Sequence, residues 1–133
     1  MDVELLVGRV LFGALFLASA MGHLTQTPAM AGYAASRGVP MATPLTVLSG
    51  VQILLGGASV VLGVWGDLGS LVLVVFLAAT AFWMHAFWRE TDPMNRQMEM
   101  VHFNKDVALA GAALGFFWAL STDPALTLTG PLF

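Results

Sequence analysis

The sequence predicts an all-α protein, an antiparallel bundle of four transmembrane helices with a short interfacial helix after the first span. Two observations carry this prediction. Hydrophobic residues make up 58% of the 133 residues and charged residues only 10%, whereas soluble domains carry about 25% charged residues. Crossing a bilayer takes about 20 mostly apolar residues, and four windows approach that length: 5–24, 45–65, 68–88 and 103–122. We therefore expect a single membrane domain over residues 1–133.

The first and fourth windows need separate justification. The first contains Ala18-Ser19-Ala20, which resembles a signal-peptide cleavage site, but it is preceded by Asp2 and Glu4 rather than by basic residues. Signal peptides begin with a positively charged region, so we expect this window to remain as a span. The fourth uncharged run reaches full length only if Phe103–Asp106 supplies its first turn. Lys105 and Asp106 are then expected at the membrane boundary.

The connections between the windows differ in length. The first, Thr25–Pro44, is rich in Pro and Gly, and the segment Ala29–Ser36 inside it is predicted to form the short interfacial helix, ended by Arg37-Gly38. The second is a tight turn at Gly66-Asp67, and the third is the charged segment Arg89–Asn104. After Asp123-Pro124 the apolar tail is expected to lie along the membrane interface.

The basic residues predict the orientation. Four of the five lie on the side of the two long connections: Arg37, Arg89, Arg96 and Lys105. Short loops rich in Lys and Arg stay in the cytoplasm, so both termini are expected outside a cell membrane. A net charge of −3 with no basic patch excludes nucleic-acid binding, and the absence of cysteine excludes disulfides and thiol redox chemistry on this chain.

Ionisable groups inside a membrane are costly and are candidates for function. The predicted topology brings His23, His85, His102, Lys105 and Asp106 into one leaflet. His85 and Asp106 are expected to face each other and line a polar pocket, which with Lys105 makes them the candidate catalytic residues. The alternative interpretation is that these residues only sit at the interface, where Trp and long basic side chains are common.

Further side chains are candidate ligand-binding groups around that pocket. Gln52 is the most polar residue of the second window and lies about 10 Å from its start, at about 1.5 Å per residue. With it we group His23 and the aromatic residues that flank His85, which are Trp83, Phe87 and Trp88.

Arg9 lies in the opposite leaflet, about one helical turn from the surface. Glu4 is badly phased to reach it on the same helix, and Asp67, in the turn on the same side, is the better candidate. We predict a structural ion pair between Arg9 and Asp67.

Metal sites and known motifs add little. Thioether and imidazole groups suit copper(I). Such groups occur together in one short segment, at Met94, Met98, Met100 and His102, but their spacing fits no fixed ligand pattern. Neither copper nor haem ligated by two histidines is favoured, so no metal site is predicted. The spacing Gly111-x-x-x-Gly115 allows close helix approach, within the bundle or, alternatively, in a homo-oligomer.

Several motifs in order resemble the DoxX family of four-helix bacterial membrane proteins. The resemblance covers an Arg-bearing first helix from Gly8-Arg9, then Tyr33 with Gly38-Val39-Pro40, His85-Ala86-Phe87-Trp88 at the end of the third helix, and Phe103–Gly111. Departures are His23 where the family often has Lys, Gln52 where an acid is common, and Asp106 in place of Asn.

The resemblance implies a bacterial inner-membrane protein associated with oxidoreductase assemblies. The favoured function is a membrane subunit of an oxidoreductase system that contacts quinone, with electrons supplied by a redox partner protein or a bound cofactor. The aromatic residues expected to hold the quinone ring are Phe82, Trp83, Phe87, Trp88, Phe116 and Phe117. The alternative is a non-catalytic membrane scaffold, or a channel or carrier for small solutes.

Overall fold

The computed structural model describes all 133 residues, and it contains helices and no β-strand. The prediction of an all-α protein is confirmed. The helices are α1 (Asp2–Thr25), α2 (Thr27–Ser36), α3 (Ala42–Leu62), α4 (Gly66–Ala79) and α5 (Pro93–Ser121). Between α4 and α5 lie a π-helical turn, Thr80–Met84, and a 3₁₀ turn, Phe87–Arg89.

Three helical segments are long and apolar enough to cross a membrane. They are Asp2–Thr25, Ala42–Leu62 and Gly66–Arg89, with mean hydropathies of 1.9, 2.0 and 2.0. The fifth helix is longer, but its part without charged residues, 107–121, falls short of the ~20 residues that a span takes.

The four long helices share one hydrophobic core. α1 packs on α3, α3 on α4 and α4 on α5, while α2 covers one end of α3. The Phe12 ring of α1 also meets the Phe116 ring of α5, with centroids 4.9 Å apart. The buried core residues are Phe12, Phe16, Ala20, Ile53, Val60, Leu73, Leu77, Ala113 and Leu120.

Two pairs of glycines bring the helices close together. A Cβ atom on Gly13 of α1 would lie 3.0 Å from the carbonyl oxygen of Gly57 in α3, and one on Gly56 would lie 3.2 Å from that of Gly69 in α4. Any side chain at these positions would push the helices apart. In contrast, nothing lies within 4 Å of the Cβ positions of Gly111 and Gly115, so the expectation that this pair serves internal packing is wrong.

The turn between the second and third predicted spans lies earlier than expected. α3 ends at Leu62, and Gly63 and Trp65 take left-handed backbone angles, with φ of 65° and 46°. Gly66 and Asp67 already belong to α4. Glycine adopts the left-handed conformation without steric cost and commonly ends a helix, which is why the reversal starts at Gly63.

The predicted third connection, Arg89–Asn104, is mostly helix. α5 begins at Pro93, and the Asp92 side chain caps it by accepting a hydrogen bond from Asn95 N at 2.9 Å. Asp at the N-cap followed by Pro at the first helical position is a strong start signal. Asp106 therefore lies inside α5, and the expectation that it occupies the first turn of a helix is wrong.

The apolar tail folds back onto the end of the bundle that carries the α3–α4 turn. Leu128 N and Thr129 N donate to the carbonyl oxygens of Leu62 and Gly63, at 3.2 and 3.0 Å. Trp65 N donates to the Thr129 hydroxyl at 2.9 Å. The tail thereby satisfies backbone groups that the end of α3 leaves open.

Candidate functional site

The helix that follows the α3–α4 turn changes its winding just before His85. From Thr80 to Met84 the winding is π-helical, and His85 N donates to Thr80 O at 3.1 Å across five residues. The Met84 carbonyl oxygen, released from the α-helical ladder, accepts a hydrogen bond from Arg37 Nε at 2.8 Å. Arg37 also pairs with Glu90. π-Helical turns occur frequently at functional sites, and this one places the His85 ring beside α5.

His85 lies between two carboxylates of α5. Its Nδ1 is 2.7 Å from Glu99 Oε2, and its Nε2 is 3.7 Å from Asp106 Oδ2. The His102 ring stacks on it, with centroids 5.0 Å apart. The imidazole is thus hydrogen-bonded to Glu99 on one side and lies within ion-pair distance of Asp106 on the other.

Glu99 extends this network towards the surface. Its Oε1 accepts a hydrogen bond from the Tyr33 hydroxyl of α2 at 2.9 Å. Burial opposes ionisation of Glu99, but the hydrogen bonds from His85 and Tyr33 outweigh burial and hold its pKa below the ordinary value. Burial and the bond to Glu99 raise the pKa of Tyr33 to about 12. The network therefore runs from Tyr33, which is 42% exposed, through Glu99 and His85 to Asp106, which is only 3% exposed.

Asp106 is the buried end of this network of side chains. Its Oδ1 lies 3.3 Å from the Lys105 ammonium, whose side chain is half exposed. Its Oδ2 is buried and accepts no hydrogen bond. A buried polar atom without a partner is costly and calls for an explanation, and a ligand that shares a hydrogen bond with this oxygen would supply one.

Asp106 lines a cavity of about 480 Å³ between α1–α4 and the middle of α5. The structure brings six of the predicted site residues to its wall: His23, Gln52, Trp83, His85, Lys105 and Asp106. His23 is held against α3 by Thr46 O and Ser49 Oγ, at 3.2 and 3.0 Å. Gln52 donates from Nε2 to Val72 O of α4 at 3.1 Å.

The cavity opens through apolar side chains. Leu48, Val75 and Trp83 belong to its wall, yet they are 61%, 64% and 45% exposed. They lie on the two helical segments Ala42–Leu62 and Gly66–Arg89, both apolar enough to cross a membrane. The entrance therefore suits a molecule that arrives through the hydrocarbon of a bilayer.

The predicted aromatic pocket does not form as a unit. Of its six residues only Trp83 lines the cavity. Phe82, Phe87 and Trp88 form a separate cluster around Phe103, with ring centroids 5.3 to 5.6 Å from that of Phe103. Phe116 packs on Phe12 in the core. The break at His85 turns the residues that follow it away from the cavity, so Phe87 and Trp88, which were predicted to bind the ligand, do not line it.

The predicted ion pair between Arg9 and Asp67 is also wrong. Arg9 is fully buried, and its guanidinium donates to the carbonyl oxygens of Val60, Val61 and Leu126, each at 2.8 Å. Asp67 Oδ2 accepts from the backbone N–H groups of Leu132 and Phe133, each at 2.8 Å. The folded-back tail supplies backbone partners to both side chains, and a guanidinium can satisfy several carbonyls at once.

Sequence reasoning missed Glu99 and gave Tyr33 no role in the site. Glu99, His102 and Asp106 are spaced three and four apart, which places them on one face of a helix. That signal was hidden because the segment before Asn104 was expected to be a connection rather than part of α5. Tyr33 could be linked to Glu99 only by knowing where α2 lies.

The fold and the site together define a class of protein. It is a multi-pass helical membrane protein in which a network of polar side chains leads into a cavity between the helices. The DoxX family profile matches residues 4–86, which is more than half of the chain, and the protein belongs to this family. The match includes His23, Gln52, Trp83 and His85, while the segment Phe103–Gly111 lies outside it. No curated protein and no solved structure matches the chain.

Proposed function

We propose that this protein is a membrane subunit of an oxidoreductase system and that it binds a quinone in the cavity. The observation that carries the proposal is the chain from exposed Tyr33 through Glu99 and His85 to the unpartnered Asp106 oxygen. Converting a quinone to a quinol consumes two electrons and two protons. These four residues suit the transfer of those protons from the surface to a ligand in the cavity.

In this mechanism Asp106, with Lys105 beside it, faces a quinone oxygen and delivers a proton to it. His85 then returns a proton to Asp106, and Glu99 and Tyr33 connect His85 to the aqueous side. Tyr33, Glu99 and His85 are linked at hydrogen-bond distance. The 3.7 Å between His85 and Asp106 shortens when the ligand binds, as catalytic hydrogen bonds that are long in apo structures commonly do. His23 and Gln52 stand at the cavity wall to orient the ring. The chain has no cysteine to carry electrons, so they come from a redox partner protein or from a bound cofactor.

We extend the proposal to the membrane arrangement. Residues 103–122 form a fourth span, supported by the core that α5 shares with the other three, and the protein forms a single domain over 1–133. It lies in a bacterial inner membrane with both termini outside and 89–104 in the cytoplasm. The outward-facing Gly111 and Gly115 favour a homo-oligomer through α5.

The test compares Asp106→Asn and His85→Ala with the control Asp123→Asn, an exposed carboxylate outside the site. Titration of a quinone into nanodisc-held protein, followed by quenching of Trp83 fluorescence, is expected to show about tenfold weaker binding for both site variants, as the loss of one hydrogen bond predicts. The control is expected to bind like the wild type.

Mass spectrometry of lipids that co-purify with the protein provides a second measurement, and a bound quinone is the expected result. If the wild-type protein neither retains nor binds quinone, the proposal fails, and the alternative of a scaffold, channel or carrier is favoured. If both site variants bind as the wild type does while melting at a lower temperature, His85 and Asp106 are packing residues.

A further inference from the structure

A second concave surface adjoins the cavity. It is a groove of about 480 Å³ on the outside of the α3–α4 pair, and Gln52 belongs to the walls of both. The groove starts at Gln52 and ends at Trp65, and it is lined by Leu55, Gly56, Ala58, Ser59, Leu62, Val64, Leu68, Gly69 and Val72. From Gln52 to Leu62 it runs about 15 Å, at about 1.5 Å per residue.

The floor of the groove results from the helix crossing at Gly56 and Gly69. A Cβ atom on Gly69 would lie 2.2 Å from Ser59 Oγ, and one on Gly56 would lie 2.9 Å from Leu73 Cδ2. These positions must stay without side chains, so the backbone forms the floor. Leu55, Leu62 and Trp65, which are 64%, 49% and 51% exposed, form the rim.

The chemistry of the groove suits hydrocarbon. Its two polar side chains are already engaged with backbone: Gln52 Nε2 donates to Val72 O at 3.1 Å, and Ser59 Oγ donates to Val64 O at 2.6 Å. Apart from Trp65 on the rim, whose indole N–H is a donor, the remaining lining residues are apolar or glycine. The groove thus has no ionisable side chain, whereas the adjoining cavity carries the orphan oxygen of Asp106.

We propose that the cavity and the groove are one binding site for an amphiphile with a long hydrocarbon tail. The polar head occupies the cavity near Asp106 and His85, and the tail passes Gln52 and lies in the groove towards Trp65. The inference rests on the proposed function and adds a tail requirement to it. The groove extends over about half of the ~30 Å hydrocarbon core, so the tail remains within the membrane along its whole path.

The experiment uses quinones with the same ring, one without a tail and one with a long isoprenoid tail. Ala58→Phe fills the groove from α3, and Val72→Phe fills it from α4. The matched control is Ala78→Phe, an exposed alanine of α4 that lines neither surface. Binding is measured in nanodiscs of one lipid composition by fluorescence quenching, with Trp83→Phe giving the background from the other tryptophans.

Both groove variants are expected to weaken binding of the long-tailed quinone about tenfold, the order expected when bulk is inserted into a fitted space. Binding of the tail-less quinone is expected to stay within about twofold of the wild-type value, since its ring does not reach past Gln52. The Ala78→Phe control is expected to leave both quinones unaffected.

If the groove variants leave long-tailed binding unchanged, the groove holds ordinary bilayer lipid or a neighbouring helix and this inference falls, while quinone binding in the cavity stands. If they weaken both quinones equally, the tail assignment is wrong as well. If neither quinone binds the wild-type protein, the proposed function and the inference fail together.

Discussion

At the residue scale, the role of a charged side chain depends more on the groups that it contacts than on its residue type. His85, Glu99 and Asp106 are three groups that could each have been solvated at an interface, but the structure turns them towards one another. Arg9 and Asp67 show the opposite outcome, because two opposite charges on the same side of the bundle both bind backbone instead. The difference arises because the folded-back tail presents carbonyl and N–H groups at one end of the bundle.

Tyr33 gives a direct measurement of the network, since it is the only tyrosine of the chain. Its phenolate absorbance is expected to titrate with a pKa of about 12, raised from 10.0 by burial and by Glu99. In Glu99→Gln the pKa is expected to fall towards 10.0, because the charge is lost while the burial remains. Spectrophotometric titration of the folded protein in detergent checks this.

The direction in which the stability of the folded protein changes with pH follows from the same two pKa values of Tyr33. The pKa is higher in the folded protein, so the contribution of neutral Tyr33 to stability is complete below pH 10.0 and is lost as the pH rises towards about 12. Glu4→Gln, an exposed acid in the first turn of α1, serves as the control and is expected to leave the titration unchanged. A wild-type pKa near 10.0 would show that Tyr33 is neither buried nor bonded to Glu99 in the folded protein.

At the element scale, the helices meet where glycines remove side chains, and they end where capping residues stop them. The glycines of α1, α3 and α4 are packed, whereas Gly111 and Gly115 of α5 face outward. Spacing by itself does not separate these two uses, because both place small residues on one helix face. The packed glycines belong to the scaffold that keeps α1 and α4 in register around the cavity.

Alanine substitutions distinguish a glycine that is packed between helices from one that faces outward. Gly13→Ala is expected to lower the free energy of unfolding by about 1–3 kcal/mol, because the added methyl would overlap Val61 Cγ2 at 2.3 Å and crowd Gly57 O at 3.0 Å. Within one copy of the chain, Gly115→Ala is expected to be neutral or to stabilise by up to about 1 kcal/mol, as alanine favours helix, whereas it is expected to weaken the proposed homo-oligomer. Unfolding in mixed detergent micelles measures both.

The Gly115→Ala result must be read with the oligomeric state, measured on the same samples by light scattering. A large loss of stability that accompanies dissociation would place Gly115 in an interface between copies. Equal and small effects at both positions would contradict the close packing of α1 on α3.

At the scale of the whole molecule, charge is distributed unevenly between the two ends. The end with the α3–α4 turn has its buried charges bound to backbone. The other end carries Arg37, Glu90, Glu99 and Lys105 in and around the candidate site. Positive residues favour the cytoplasmic side, so we expect the proposed proton path to open towards the cytoplasm.

Single cysteines introduced into this cysteine-free chain test the orientation. Ala125→Cys, in the exposed tail, is expected to react with an impermeant thiol reagent in intact cells, while Gln97→Cys, exposed on α5, is expected to react only after the cells are opened. The reverse labelling pattern would place the Tyr33 end outside. Labelling of both positions in opened cells controls for reactivity.

The sequence by itself determined the class of protein and most of the helices. Whether an apolar run is long enough to cross a bilayer is a local property, so α1, α3 and the segment Gly66–Arg89 could be predicted to within a few residues. The meeting of His85 with Asp106 was expected from topology alone, because antiparallel helices joined on one side have matching depths. The start of α5 was predictable from Asp92-Pro93 but was obscured by the charges that follow.

Only the tertiary structure decided which atoms meet. The rotation of each helix about its axis selects Trp83 for the cavity and turns Phe87 and Trp88 away, and the π-helical turn that produces this has no local signature in the sequence. The tail reaches Arg9 over 117 positions of sequence. Such contacts depend on the packing of all the helices at once, so no single segment of the chain encodes them.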